Sequence, residues 1–473
     1  MCQDLDWYRR RGYAHFDRPL HKDQARRLVE CPDNVASHAF WPVIINPQCV
    51  ISRKKEKNTS RRIYTTKYRP IAYAAHSDSH IYAYYAKKLN LALEDSYKKY
   101  GGEHVLAYRR FDSPKNNIHF ALDAFNEIKS RKECDVIAID VEGFFDTLDH
   151  HLLKQAWEKL LGHEQLPADH YAVYKACTRD SAVTVPVLRD LFSGEIRRRA
   201  GKDGAAICTP VQFRSKVKHK LRPRHELAWE VKRKQPPAHL KRSPAGIPQG
   251  LPISAVLANL YMLKVDSLIQ LHIKELGGSY RRYSDDILLV VPKGSGQKAE
   301  RIVTQALQTV CLTVEPTKTM RCRYLEVAKA LKCFNLDQNY NLTVLRPMAY
   351  LGFTFDGVNI RVRESTIAHF MIKAKRAIKR AKIAAIKNET IFIKKRQLYA
   401  RLTRLGYGDA YGSNIYQKLG AGILPQGAPR LGFFKYLQRA EELTKSESIG
   451  KQIRQVESQV FREINRMKIK LTP

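Results

Sequence analysis

Two short apolar runs in this chain meet carboxylates at their ends. "CDVIAID" (134–140) finishes at Asp140, and "RRYSDDILLVV" (281–291) places Asp285 and Asp286 at the mouth of an apolar run. Continuous aliphatic runs of this length read as strands buried on both faces. One acid at a strand end would cap a turn. Two adjacent carboxylates repel each other and are a poor structural choice without a cation between them. If the two strands are neighbours in one sheet, three carboxylates converge on one edge. Metal-assisted phosphoryl transfer needs that arrangement. Hard oxygen ligands select Mg²⁺, with Mn²⁺ able to substitute, and Mg²⁺ completes its shell with waters and substrate phosphates. Two such ions about 3.5–4 Å apart can activate an attacking oxygen and stabilise a leaving one.

The charge balance points the same way. The 473 residues include 83 Lys and Arg against 46 Asp and Glu, a formal charge of +37. Such an excess repels itself unless a polyanion neutralises it, which favours nucleic acid over an anionic membrane surface. No apolar stretch approaches the length of a membrane span, and "MCQDLDWYRRRGYAHF" lacks a signal-peptide core, so no membrane partner is expected. Nine cysteines without CxxC spacing suggest neither a zinc ribbon nor a disulfide framework. Reduced thiols in a cytoplasmic protein are expected.

Along the chain, residues 1–60 read as an extension ending in the loop-like "SRKKEKNTSRR". Residues 79–99 read as a helix, with Ile81, Tyr85, Leu89 and Leu93 on one face. A further helix is expected over "NIHFALDAFNEIKS", and another from near Asp149. The stretch 196–242 carries 15 Lys or Arg against three acids and four prolines, the composition of a loop-rich insertion that orders on a polyanion or of a solvated arm. A Gly/Pro loop then feeds a long helix, and a hairpin with arms at 279–283 and 286–291 holds the two aspartates at its turn. Asp356-Gly357 marks a second hairpin. Residues 361–404 carry 14 basic residues against two acids on helical patterns. The apolar stripe Ile449, Ile453, Val456, Val460, Ile464 and Met467 is expected to pack on its own domain rather than on another subunit.

These segments resemble reverse transcriptases. "YSDD" in an apolar hairpin is similar to their YxDD box, "AIDVEGFFDTLDH" to their first palm motif, and "GIPQGLPISAVLANLYM" to the loop and helix between the two. "LTVEPTKT" and "YLGFTF" fall where the last palm lysine and the primer-grip hairpin occur, and "YRPIAY" and "LAYRRFDSPKNN" resemble finger motifs more weakly. The likeness spans residues 61–360. It implies an α+β right-hand polymerase with a ferredoxin-like palm, helical fingers, a basic helical thumb and a C-terminal extension. The corresponding divisions are an N-terminal extension (1–60), fingers (61–135), first palm part (136–160), fingers with the basic insertion (161–242), second palm part (243–357), and thumb with extension (358–473).

The resemblance also implies roles. Asp140 and Asp285 would be metal ligands, Asp286 the adjacent acid, and the Val141 carbonyl a further ligand for two Mg²⁺. Phe145 would be the steric gate that collides with a ribose 2′-hydroxyl and favours dNTPs. Asp146, one step on, would face elsewhere. Gln249 and Gly250 would approach the incoming nucleotide, and Lys318 would protonate or neutralise pyrophosphate. Arg69, Arg110 and Lys115 would clamp the triphosphate from the fingers. RNA would be the template and cDNA the product.

The chain departs from relatives within that family. Ala255 stands where intron-type enzymes carry proline, the insertion between the first two palm motifs is long and basic, and the endonuclease, ribonuclease H and VTG signatures are missing. What remains resembles stand-alone bacterial reverse transcriptases of anti-phage defence, which copy a neighbouring noncoding RNA and include self-associating members, so a homo-oligomer stays open. The alternatives are a group II intron-type maturase and an RNA-binding scaffold with a vestigial polymerase site.

Overall fold

The computed structural model describes residues 6–55, 62–109, 111, 113, 115–179, 181–192, 206–233, 245–387, 395–403 and 432–466. Near the N-terminus, β1 (Val43–Lys55) and β2 (Arg62–Tyr73) form a long antiparallel hairpin. The expected division near residue 60 therefore falls between two paired strands, and the first strand belongs with the second. β3 (Cys134–Asp140) starts a larger sheet, whereas β4 (Ala182–Thr184) returns to the first and runs parallel to β1. The helix His76–Tyr100 follows β2, with Ile81, Tyr85, Leu89 and Leu93 all buried as their spacing requires.

The larger sheet adds β5 (Ser279–Tyr283), β6 (Asp286–Pro292), β7 (Met320–Val327), β8 (Ala330–Leu336) and β9 (Leu342–Leu345), in the order β5-β6-β3-β7-β8-β9. Its neighbouring strands all pair antiparallel. Helix Ser254–Glu275 precedes β5 and helix Gly296–Gln308 joins β6 to β7. The first four strands and these two helices make the βαββαβ arrangement of a ferredoxin-like palm.

Strand alternation gives this sheet two buried faces. Ile137, Ile139, Ile287 and Leu289 join a core with Leu257, Leu260 and Ile269 of helix Ser254–Glu275. Val136, Leu288, Val290 and Tyr324 join a second core with Phe125 and Ile128 of helix Asn117–Arg131. The second core also takes a small sheet of β10 (Met348–Tyr350), β11 (Phe353–Phe355) and β12 (Ile360–Val362), where Asp356 turns the last hairpin by accepting the N–H of Val358 and of Asn359.

The basic helix Glu364–Lys387 comes next, then the helices Lys395–Thr403, Phe433–Thr444 and Glu447–Asn465. Ile449, Ile453 and Val456 bury against the second core, and Val460 and Ile464 against Ala374, Ala377 and Leu402. The stripe packs on its own chain, as expected; Met467 lies outside the described residues.

The basic insertion needs correction. Arg197, Arg198 and Arg199 lie outside the described residues, but residues 206–233 are folded against the body. Val217 is buried beside Phe16, Ile44 and Val183, and helix Arg224–Lys232 buries Leu227, Ala228 and Trp229. A few apolar side chains among many charges anchor this segment, and one charge is buried with them: Arg224, whose Nη2 donates to the Gly246 carbonyl at 2.7 Å. Composition alone reads such a segment as loop.

Candidate nucleic-acid polymerase site

β3 and β6 are neighbours, and their register sets Asp140 directly opposite Asp286. Paired residues of antiparallel strands share a face, so both side chains lie on one side of the sheet edge. Asp285 is held beside them: its carbonyl accepts the Val141 N–H at 3.2 Å. The Asp140 carbonyl accepts the Glu315 N–H at 2.9 Å, which brings in the loop bearing Lys318. The Lys318 ammonium forms an ion pair with the Asp140 carboxylate. The structure thus brings together Asp140, Val141, Asp285, Asp286 and Lys318.

The acids disturb one another. Burial pushes the Asp285 carboxyl up, and Asp140 adds to the effect against Lys318. Asp286 has an exposed side chain set among dense neighbours. Burial first, then Asp285 and Asp140, push its carboxyl up to about 6, against the pull of Lys318 and Arg363.

The loop before helix Ser254–Glu275 is knit to the turn after β3. Ile247 N–H donates to the Phe145 carbonyl and Gly246 N–H to the Leu148 carbonyl, each at 2.7 Å. Phe145 lies half-buried in the short helical turn Phe144–Thr147. Asp146 lies in that same helical turn rather than in an extended one, and is buried in an ion pair with Lys232 of the basic segment. The Lys232 ammonium also lies over the Trp229 ring, 4.5 Å from its centroid.

Gly250 has a structural reason of its own. Its φ is +114°, and a Cβ there would lie 2.4 Å from the Ala72 carbonyl oxygen. The Gln249 carbonyl meanwhile accepts the Ala72 N–H at 2.7 Å. Close backbone approach is therefore required by β2 itself, and these contacts set the first sheet against the palm.

Arg69 lies on β2 and two residues from Lys67, on the same strand face. Lys67 was missed by sequence reading. Desolvation by its surroundings, then Lys318 and Arg69, draw its ammonium below the usual lysine range, while Asp140 opposes them. That shared field places the β2 cations near the acids. Strand parity with Arg69 was the signal, had 62–73 been read as a strand. Lys115 is different: it pairs at 3.6 Å with Asp123 on helix Asn117–Arg131, not with the acid cluster. Arg110 lies outside the described residues.

Comparison with known proteins matches residues 210–355 to the reverse transcriptase (RNA-dependent DNA polymerase) family. Residues 210–355 thus match an RNA-directed DNA polymerase domain, a nucleotidyltransferase, within an α+β fold of right-hand type. The matched residues include Gln249, Gly250, Asp285, Asp286 and Lys318. Asp140 lies upstream of the match, and the register of β3 against β6 joins it to the rest.

No curated protein sequence matches the chain. Among solved structures, the chain is similar to apo telomerase from Candida tropicalis truncated from its C-terminal domain, with 11% identity over 67% of this chain and a TM-score of 0.38. It is also similar to telomerase from Candida albicans in complex with a TWJ fragment of telomeric RNA, with 8% identity over 94% of this chain and a TM-score of 0.40. The chain spans 55% and 67% of the lengths of those two structures.

Reverse transcriptase domains generally use divalent metal ions. Among the described residues, no three His, Cys, Asp or Glu side chains form a ready-made metal cage. The donors at the sheet edge are nevertheless hard carboxylate oxygens, neighbouring acids disfavour the charged forms of Asp285 and Asp286, and a divalent cation relieves that repulsion. The residues fit such an ion.

Proposed function

We propose that the protein copies RNA into DNA, extending a primer 3′-hydroxyl with dNTPs. The observation that carries this reading is the register of Asp140 opposite Asp286, with Asp285 beside them, where Asp285 and Asp286 fall within the match to the reverse transcriptase family. Asp140, Asp285 and Asp286, with the Val141 carbonyl, would hold two Mg²⁺. When bound, the metals would lower the pKa of the 3′-hydroxyl and stabilise charge on the departing pyrophosphate.

The chain's own groups do the remaining work. Lys318, now the counter-ion of Asp140, would turn to the pyrophosphate and neutralise or protonate it. Arg69 and Lys67 would hold the triphosphate from β2, with Arg110 as a further clamp; Lys115 would join them only by leaving Asp123. Phe145 would exclude the ribose 2′-hydroxyl, while Lys232 keeps Asp146 from reaching it. Gln249 and Gly250, fixed against Ala72, would line the nucleotide floor. The basic face of helix Glu364–Lys387 would hold the template-primer duplex, the +37 charge being matched by phosphates.

Resemblance to stand-alone bacterial enzymes supports a finer proposal: a noncoding RNA template, a cytoplasmic setting and a role in anti-phage defence. Sequencing copurifying nucleic acid tests the template, and phage challenge of cells carrying the wild type or Asp285→Ala tests the role.

The polymerase reading is tested by dNTP incorporation on a primed RNA homopolymer. Incorporation is expected for the wild type and should be lost in Asp140→Ala and Asp285→Ala. Wild-type protein that binds primed RNA and incorporates nothing would overturn it.

A further inference from the structure

Next to the acids lies a charged group that the chemistry above does not use. Arg282, on β5 three residues before Asp285, is fully buried. Its Nε and Nη2 donate to the two carboxylate oxygens of Asp266 at 2.7 and 2.6 Å. Nη2 also donates to the Asn259 Oδ1 at 3.2 Å, and Nη1 to the backbone carbonyl of Ser284 at 3.1 Å. Asp266 and Asn259 are seven residues apart on helix Ser254–Glu275, two turns of one face. Asp266 accepts the Tyr280 hydroxyl as well, and the Asn259 amide donates to the Ala107 carbonyl at 2.9 Å.

Arg282 is also fixed by its main chain. Its N–H donates to the His104 carbonyl at 2.8 Å, and its carbonyl accepts the Leu106 N–H at 2.9 Å. Burial alone would lower the Arg282 pKa, but Asp266 holds the guanidinium firmly charged. Ser284, the residue it grips, has a φ of +61°, a left-handed conformation that side chains rarely adopt. Such a turn persists only where its surroundings over-determine it.

A buried ion pair is a weak source of stability, since well-packed apolar residues of similar volume often do as well or better. They could not hold a carbonyl. We infer that Arg282 is a positioning residue: its guanidinium, braced by Asp266 and Asn259, holds the Ser284 carbonyl and thereby sets where Asp285 and Asp286 present their carboxylates to divalent metal. The turn is pinned twice, at Ser284 by Arg282 and at Asp285 by the Val141 N–H. A planar fork can grip Asp266 with one edge and reach Ser284 with another; an ammonium on a flexible stem cannot hold both.

This inference rests on the proposed polymerase site, and its test separates the two. The full-length wild type, Arg282→Lys and Asn259→Ser are compared well below their melting temperatures. Mn²⁺ binding is followed by the loss of free-ion electron paramagnetic resonance signal, which needs no activity. Primer extension is followed as a function of Mg²⁺, with kcat and the dNTP KM measured separately.

In Arg282→Lys, Mn²⁺ affinity should fall at least fivefold, the half-maximal Mg²⁺ concentration should rise by a similar factor, and kcat should fall tenfold or more. The dNTP KM and the Kd for primed template should stay within twofold. Asn259→Ser, which keeps the Arg282–Asp266 pair, should shift Mn²⁺ affinity two- to threefold in the same direction and decides the matter if Arg282→Lys does not fold.

Unchanged Mn²⁺ affinity in a folded variant would overturn the positioning role. So would activity losses that track only the folded fraction. Wild-type protein that binds Mn²⁺ but incorporates no dNTP would defeat the polymerase reading instead, leaving the Mn²⁺ comparison to judge Arg282.

Discussion

The two ends of β3 treat an aspartate in opposite ways. At its start, Asp135 is fully buried yet completely answered: Arg323 donates to both its carboxylate oxygens, at 2.6 and 3.0 Å, and the N–H groups of Gly294 and Gly296 add 2.9 and 3.2 Å bonds. At its finish, Asp140 is half-buried, faces Asp286 across the register and has Lys318 as its ion-pair partner. The first end is a folding device that closes the strand against helix Gly296–Gln308. The second keeps like charges together, and the Asp285 and Asp286 carboxyls there are driven upward by burial and by neighbouring acids. Carboxylates gathered in this way mark a candidate place for a ligand of opposite charge.

Mutations can break this contrast. The largest effect is expected from Asp285→Ala. Loss of a metal ligand removes several kcal/mol of transition-state stabilisation, so primer extension should fall by roughly a thousandfold. Binding of primed RNA, measured by fluorescence anisotropy, should stay within about twofold, since the basic surfaces are untouched.

Asp135→Ala should do the reverse. Removing one partner of a buried pair is expected to lower unfolding free energy in urea by about 3 kcal/mol, while extension per folded molecule stays near wild type. A mild loss of stability together with a large loss of activity would erase the distinction between the two ends.

Phe145→Val sharpens the comparison at the substrate. Use of rNTPs relative to dNTPs should rise by about tenfold or more in competition assays, with polymerisation retained. Equal use of both by the wild type would remove the gate.

The smallest effect concerns pH. The Asp286 carboxyl is raised to about 6 in the folded chain, above its unfolded value. Its favourable contribution is therefore present below about pH 4 and is lost as pH rises through about 6. In EDTA, Asp286→Asn should raise the melting temperature by about 1–2 °C at pH 7.5, and the difference should vanish near pH 4.

The palm and its acids were legible in the sequence because their signals are local. "VIAI" and "ILLVV" can only be buried strands, and carboxylates at their ends stand out against them. The β1–β2 hairpin was less legible: "SRKKEKNTSRR" carries so much charge that strand alternation is hidden, and Lys67 was missed with it. The folded part of the basic segment was read as loop because its anchors, Val217 and Trp229, are few and gain meaning only from the surfaces they meet. Arg282 was read as part of a charged strand arm. Its burial depends on Asp266, sixteen residues earlier on a helix that packs behind β5, and no local pattern announces that tertiary pairing. Gly250 was legible as a close approach, but its neighbour proved to be the backbone of Ala72.

The central claim is that the Asp140 end of β3 serves synthesis and the Asp135 end serves folding. One preparation of Asp140→Asn tests it, with primer extension on an RNA template in Mg²⁺ and thermal melting in EDTA measured on the same sample. Extension should be lost while the melting temperature stays within about 2 °C of the wild type, because loss of the half-exposed Asp140–Lys318 pair is offset by removal of a charge that repels Asp285 and Asp286. Extension above a tenth of wild type, or a fall in melting temperature comparable to that of Asp135→Ala, would contradict it.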